Sequence, residues 1–389
     1  MEKFFATCPR GLEPLLAEEL RQLQAEKIHA VGGGVEFGGI FSLCYRVNLE
    51  SRVASRILWR VAAGRYQSED DIYRVACALP WNDWFEPALT IRVDVSAIKS
   101  PLTSLNFVTL KIKDAVCDKF RRLSGRRPSV DTRQPDIPIQ GHLTERDFKL
   151  YLDTTGEPLF KRGRRVAQGE APLRENLAAG ILRLAGWLPG MPLLDPMCGS
   201  GTFLMEAAQM ALDIAPGLGR RFAFEKLKNF DRHGWRELLR QAAARQKLRV
   251  PLPIYGSDLS VEALKATRAN LAAAGLEHVV KLNQANVLEI SAPATEGVIV
   301  TNPPYGVRLG EQRELAEFYP KLGDALKRNF SGWRAYILTA DMRLPKLIRL
   351  AASKRTPLFN GPLECRLFEY KMVEGGMRGK KREEIRVKS

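Results

Sequence analysis

Between residues 193 and 339 the chain repeats one grammar: a short apolar run, a turn carrying a small or polar residue, then a helical stretch. Leu193-Leu194 runs into Asp195, Pro253-Ile254-Tyr255-Gly256 into Asp258, Val279-Val280-Lys281-Leu282 towards Asn286, and Gly297-Val298-Ile299-Val300 into Asn302. Arg334 to Thr339 supplies a fifth run. Such short runs, alternating with helical patterns, suit strands covered on both faces by helices, so a mostly parallel α/β sheet is expected. The helices expected with it include Leu173 to Leu184, Phe203 to Leu212 and Val261 to Ala274, the last with Ser260 as N-cap and Gly275 as its stop. Pro357 to Met372 reads as a terminal hairpin. In an open sheet of this kind, ligands collect at the carboxyl edge, where strand ends meet helix starts. The loops beginning near 195, 258, 286 and 302 should all emerge there.

Upstream the grammar is different, which sets a domain boundary near Val166. Phe4 to Ala6 reads as a strand, and Leu12, Leu15, Leu16 and Leu20 make one helical face. Gly32-Gly33-Gly34 lacks both the Walker lysine and a following helix start, so it reads as a hairpin turn. A helical pattern from Phe41 to Leu58 precedes the alternating strand Leu89 to Val95, and Asp147 to Asp153 is a further strand, as in an α+β module. In the helix expected from Leu110 to Leu123, the residues Ile112, Val116, Phe120 and Leu123 form an apolar stripe. Lys111, Lys113, Lys119, Arg121 and Arg122 fall off that stripe, Gly125 can end the helix, and Arg126 and Arg127 continue the charge.

Across the chain 60 Lys and Arg face 44 Asp and Glu, a net charge of +16, so a polyanionic partner is expected. The basic helix, with Arg164 and Arg165 of the run Lys161 to Arg165, is the candidate nucleic-acid contact. A run of 18 apolar residues and a signal-peptide core are both missing, so no membrane partner and a cytoplasmic location are expected. Six cysteines lie far apart and histidines number four, which argues against a zinc site or a disulfide framework. They read as reduced, mostly buried residues.

Two loops carry the chemistry. In Asp195-Pro196-Met197-Cys198-Gly199-Ser200-Gly201-Thr202, the glycines let backbone amides approach a ligand closely, at a helix start that favours negative charge. A nicotinamide fingerprint would need glycine at 204, where Leu204 stands, and an acidic strand end nearer than Asp258. The loop therefore speaks for nucleoside binding and against NAD. Asp258 suits two ribose hydroxyls, or a helix cap. In Asn302-Pro303-Pro304-Tyr305-Gly306, an amide carbonyl, two residues without N–H donors and an aromatic face suit a planar amine, though such a stretch can also be a rigid turn.

Ala171 to Ala179, Leu194 to Phe203, Ser257-Asp258 and Asn302 to Gly306 together resemble the THUMP-domain class I methyltransferases, and more narrowly the bacterial guanine-N2 methyltransferases acting on 23S ribosomal RNA. The opening Phe5 to Glu13 and the stretch Ile137 to Asp153 are similar to that family's ferredoxin-like and THUMP portions. The resemblance implies a Rossmann-like class I methyltransferase domain behind an α+β RNA-binding region. The boundaries expected are 1–55 ferredoxin-like, 56–165 THUMP, 166–374 methyltransferase and 375–389 a charged, disordered tail.

By that resemblance the cofactor is S-adenosylmethionine. Asp195, Gly199 and Gly201, with Pro196, Cys198 and Thr202 of the same loop, line its methionine and ribose side. Arg174 reaches its carboxylate, Asp258 holds the ribose, and Asn286 stands where an aspartate would meet the adenine amino group. Asn302 borders both cofactor and acceptor. Asn302 and the Pro303 carbonyl accept the N–H bonds of the amine, Tyr305 stacks on the base, and Pro304 contacts it. The partner implied is RNA, ribosomal RNA foremost, with transfer RNA open; no obligate protein partner is readable. The same catalytic loop would also serve a DNA adenine-N6 or protein glutamine-N5 methyltransferase, and a third reading is an RNA-binding protein with a vestigial fold. Ribosomal members of the family can carry a second methyltransferase domain, and its activity is expected to be absent from this chain.

Overall fold

The protein is described from a computed structural model covering residues 1–163, 166–167, 173–304 and 309–373, side chains of 309–312 excepted. Arg164, Arg165, Tyr305, Gly306 and the charged tail lie outside the described residues. Two compact units divide the chain. One holds Met1–Arg162 and Ala215–Arg245, the other Gly163–Ile214 and Gln246–Ser389.

The first unit is built on one seven-stranded sheet. Its strands are β1 (Glu2–Thr7), β2 (Glu26–Val31), β3 (Gly34–Gly39), β4 (Arg56–Arg65), β5 (Ile91–Ala97), β6 (Ile137–Leu143) and β7 (Asp147–Asp153), in the order β2-β3-β1-β4-β7-β6-β5. The antiparallel β2-β3-β1-β4 portion has the ferredoxin-like order, and Gly33, at φ +85°, makes the β2–β3 turn. β4 joins the halves, pairing with β1 and, along its length, with β7. The regions expected on either side of residue 55 thus share a single sheet.

The helix expected over Phe41–Leu58 is shorter, Leu43–Glu50. Its apolar spacing continues by coincidence into Ile57-Leu58, which are buried as part of β4 because two neighbouring strands claim them. The basic helix runs Leu105–Ser124, a turn longer at its start, where the Ser104 hydroxyl accepts the Phe107 amide (3.2 Å), and it ends at Gly125, φ +68°.

The segment 215–245 was not anticipated as part of this unit. Its helix Arg232–Ala244 is capped by Asp231, whose amide donates to the Tyr45 hydroxyl (3.0 Å). Phe224 stacks on Tyr45 at 4.5 Å, with Phe222, Phe230 and Trp235 around them. Beneath lies a buried polar knot. Asn48 donates to the Cys44 carbonyl (2.8 Å) and the Thr154 hydroxyl (3.0 Å) and accepts from the Thr155 hydroxyl (2.6 Å). The threonines meet the Ile57 carbonyl and amide, and the Phe224 amide donates to the Thr154 carbonyl (3.0 Å), so helix, sheet and inserted segment share one network.

The second unit carries β8 (Leu193–Asp195), β9 (Ile254–Asp258), β10 (Lys281–Gln284), β11 (Gly297–Thr301), β12 (Trp333–Thr339), β13 (Lys354–Asn360) and β14 (Leu363–Lys371). Their order is β10-β9-β8-β11-β12-β14-β13, parallel through β12 and antiparallel thereafter. This is the mostly parallel α/β sheet expected. The third strand lies two residues later than read, because Lys281–Gln284 takes its register from β9. A helix missing from the expectation, Leu309–Asn329, buries Leu315, Tyr319, Leu322 and Leu326 against the sheet despite Pro320 inside it. All six cysteines are buried. No helix among the described residues is long and apolar enough to cross a membrane.

Replacing Asn48 with leucine keeps its volume but removes three buried hydrogen bonds. It should lower stability by about 2–3 kcal/mol, seen as a shift of the denaturant midpoint. A loss below about 0.5 kcal/mol would show that the network adds nothing.

Candidate active site

The parallel register brings Asp195, Asp258, Gln284 and Thr301 to one sheet edge, since β10, β9, β8 and β11 are successive neighbours. The four loops expected at the carboxyl edge do emerge there. Asp195 ends β8 and is buried, with its Oδ1 accepting the Met197 amide at 3.3 Å. Burial pushes its carboxyl up to about 7, opposed by the Thr301 hydroxyl and the Met197 amide, with the Asp258 charge adding to the shift.

The glycine loop is clamped from below. Asp258, at the end of β9, accepts the Gly199 amide (2.9 Å) on one oxygen and the Ser260 amide (2.9 Å) on the other. Each oxygen keeps a lone pair for a further donor. The Cys198 amide donates to the Ser257 carbonyl (2.9 Å), and burial raises the Cys198 thiol far above its ordinary range, so it is an inert part of the floor. Gly201 stands at φ +79°, where a Cβ would lie 2.7 Å from Cγ2 of Thr267. Gly199, at φ +54°, faces open space. Pro196 is buried, and Thr202, also buried, opens the helix Thr202–Ala211.

Two further residues hold this loop and were not anticipated. From the helix Val261–Ala273, the Thr267 hydroxyl donates to the Gly199 carbonyl (2.6 Å) and the Asn270 amide to the Ser200 carbonyl (3.0 Å). Asn270 also accepts the Val166 and Ala167 amides, each at 2.9 Å. Their signal in the sequence was faint: two polar residues three apart, among the buried positions Leu264 and Leu271.

Asn286 is placed at the β10 end but uses its side chain locally, its Oδ1 accepting the Leu288 amide (3.1 Å) and its Nδ2 facing Glu289 (3.3 Å). Arg174 caps the helix Glu175–Leu184, and its Nη2 lies where a Cβ on Gly361 would come within 2.9 Å, so it packs on the β13–β14 turn. Directly past β11, Asn302 is half-buried, Pro303 buried and Pro304 exposed.

The basic residues of the other unit do not act as one uniform patch. Lys111 pairs with Asp70 (2.7 Å), Lys113 with Asp114 (2.7 Å) and Arg121 with Asp118 (3.0 Å). Lys119 is half-buried. Arg122 reaches the Tyr73 hydroxyl (3.4 Å), while it, Arg126 and Arg127 are exposed at the helix end.

The raised acid at Asp195 has a stability consequence. A carboxyl whose folded value lies above its ordinary 3.8 favours the folded state below that value, and the advantage is lost as pH rises to about 7. Asp195→Asn should therefore gain stability over the parent as pH climbs through this window and hold a constant gain above it. Thermal midpoints across pH check this; a gain that does not vary with pH would refute it.

Family comparisons agree with the geometry. The RlmL ferredoxin-like domain matches residues 3–58, the THUMP domain 66–153 and the RMKL-like methyltransferase domain 162–369. A Synechocystis sp. protein, slr0064, named as a presumed RNA methyltransferase, is 40% identical over 370 residues, covering 95% of this chain and 96% of its own. The ribosomal RNA large subunit methyltransferase K/L of Aeromonas hydrophila is 40% identical over 401 residues, 98% of this chain but 56% of its own. The chain thus spans about half the length of that relative. The crystal structure of SMU.472, a presumed methyltransferase complexed with SAH, matches with a TM-score of 0.87 at 30% identity, over 96% of this chain and 98% of that one. With one family model matching more than half the residues and the Synechocystis relative aligned over nearly its whole length, the chain belongs to the RMKL-like methyltransferase family, with ferredoxin-like and THUMP modules ahead of its catalytic domain.

Proposed function

We propose that this chain is an S-adenosylmethionine-dependent RNA methyltransferase acting on the exocyclic N2 of a guanine, foremost in 23S ribosomal RNA. The observation that carries the reading is the delivery of Asn302-Pro303-Pro304 by β11 immediately beside β8, whose loop is built for a nucleoside.

The residues present fit the cofactor. Asp258 is locked in position with acceptor capacity left, Gly199 has open space where a Cβ would stand while its amide is held by Asp258, and the buried Asp195 offers negative charge to a cation. The SAH complex of SMU.472 supports the same assignment. When bound, S-adenosylmethionine supplies a methyl group already activated on a sulfonium, so the protein's task is chiefly alignment.

Asn302 and Pro303 do the aligning on the acceptor side. Two successive prolines carry no N–H, so between Asn302 and Tyr305 the backbone presents only acceptors. The Asn302 amide oxygen and the Pro303 carbonyl accept the two N–H bonds of the amine, turning its lone pair out of conjugation and towards the donor side. Tyr305 stacks on the base, and a paired guanine must first leave its helix. RNA as acceptor is supported by the THUMP module, the net charge of +16, the exposed arginines 122, 126 and 127, and the RNA methyltransferase names of the relatives.

Incubation with labelled S-adenosylmethionine and, separately, total RNA, DNA and protein should place label in RNA as N2-methylguanosine, identified by mass spectrometry. Label in DNA as N6-methyladenine, or in protein glutamine, would sink the reading, and label confined to transfer RNA would move the substrate away from the ribosome. Asn302→Ala should lower kcat by about 10²-fold or more while cofactor affinity stays within about threefold. Unchanged turnover would remove Asn302 from the chemistry.

A further inference from the structure

A fifth strand also ends at the carboxyl edge, and its loop belongs to none of the positions considered so far. β12 closes at Thr339, whose hydroxyl accepts the Asp341 amide (2.9 Å). Asp341 is 9% exposed and turns both oxygens on Arg343: Oδ1 accepts its backbone amide (2.9 Å) and Nε (2.9 Å), and Oδ2 accepts Nη2 (2.8 Å). The Arg343 side chain itself is 46% exposed. A buried carboxylate thus holds a half-exposed guanidinium in one orientation, with little rotamer freedom left to lose on binding.

The strand order gives this pair its meaning. Donor loops leave β8, β9 and β10, the acceptor loop leaves β11, and β12 lies on the other side of β11. The Asp341–Arg343 loop therefore borders the acceptor loop on the flank away from the donor. Building on the acceptor proposed above, we infer that Arg343, positioned by Asp341, reads the O6 and N7 edge of the target guanine and is a specificity-determining residue. A guanine whose N2 is turned towards the donor has O6 and N7 across the ring system from the donor. These two acceptors are what an arginine fork recognises, whereas adenine presents an amino donor there. Asp341 also neutralises the guanidinium, which suits reading by hydrogen-bond geometry better than holding a phosphate by charge.

The test compares the full chain and its variants on 23S RNA transcribed with guanosine or with 7-deazaguanosine, which lacks N7. The parent should lose about 10- to 100-fold in kcat/KM on the deaza transcript. Arg343→Ala should lose a similar factor on the guanosine transcript and then show no further loss on the deaza one. Arg343→Lys should fall between, and both variants should bind S-adenosylmethionine like the parent, which also verifies their folding. Equal losses by Arg343→Ala on both transcripts, with a shallower salt dependence, would replace base reading by a phosphate contact and overturn the inference, as would no loss at all. If the parent's product is not N2-methylguanosine, the acceptor reading itself has failed, and the nucleoside analysis separates that outcome from a failure at Arg343.

Discussion

The glycine loop of the second unit depends on one close approach, that of residues 198–201 to the helix Val261–Ala273. At Gly201 the gap leaves no room for a Cβ, and the φ of +79° favours glycine over any residue with a side chain. Given that closeness, Thr267 and Asn270 can take the Gly199 and Ser200 carbonyls, and Asp258 can take the Gly199 amide. Each bond contributes only about 0.5–1.5 kcal/mol, but together they satisfy the loop's backbone from below. A loop so held needs no ligand to set its shape, and its upper side is left to one.

The same division between what packs and what waits explains which features were legible in the sequence. Strand ends in the second unit are marked by Asp195, Asp258 and Asn302, residues that stop an apolar run; their order at the sheet edge is Asp258, Asp195, Asn302, because β8 lies between β9 and β11. Thr267 and Asn270 were not legible, because on a helix of alanines and leucines a threonine and an asparagine look like ordinary polar positions until the loop above them is known. The helical spacing from Phe41 to Leu58 misled because Ile57 and Leu58 answer to β1 and β7, partners that no local pattern contains. The excursion 215–245 escaped for a related reason. Phe222, Phe224, Phe230 and Trp235 signal burial, but nothing local says that the surface they cover is Tyr45, about 180 residues earlier.

The buried acids sort by how well they are matched. Asp153 accepts the Thr155 amide (2.9 Å) and the Gly156 amide (3.2 Å) and pairs with Arg56, and Glu19 takes the Ser51 hydroxyl at 2.7 Å. These carboxylates serve the fold of the first unit. Burial raises the Asp153 carboxyl too, but a guanidinium stands beside it; Asp195 has only the Thr301 hydroxyl and a longer bond, 3.3 Å from Met197, stands near a second carboxylate, and is pushed up to about 7. A buried acid under-compensated in this way destabilises the fold at neutral pH and is the kind of local inconsistency that marks a functional position. On the proposed reading, a cationic donor is what relieves it.

On the proposed reading, affinity and selectivity for RNA have different physical sources. In the first unit Lys111, Lys113 and Arg121 are already engaged by Asp70, Asp114 and Asp118, so the charge presented at the end of the basic helix is that of Arg122, Arg126 and Arg127. Exposed arginines of this kind attract any polyanion and lose their hold as salt rises. At the carboxyl edge of the second unit, Arg343 is matched by Asp341 and has little net charge to offer. A neutralised guanidinium gains little from a phosphate but keeps its directional donors, so it can select among bases without binding every backbone that passes. Were Arg343 unpaired, it would add to general attraction and blur that choice; the buried carboxylate beneath it makes orientation, rather than charge, what the loop offers.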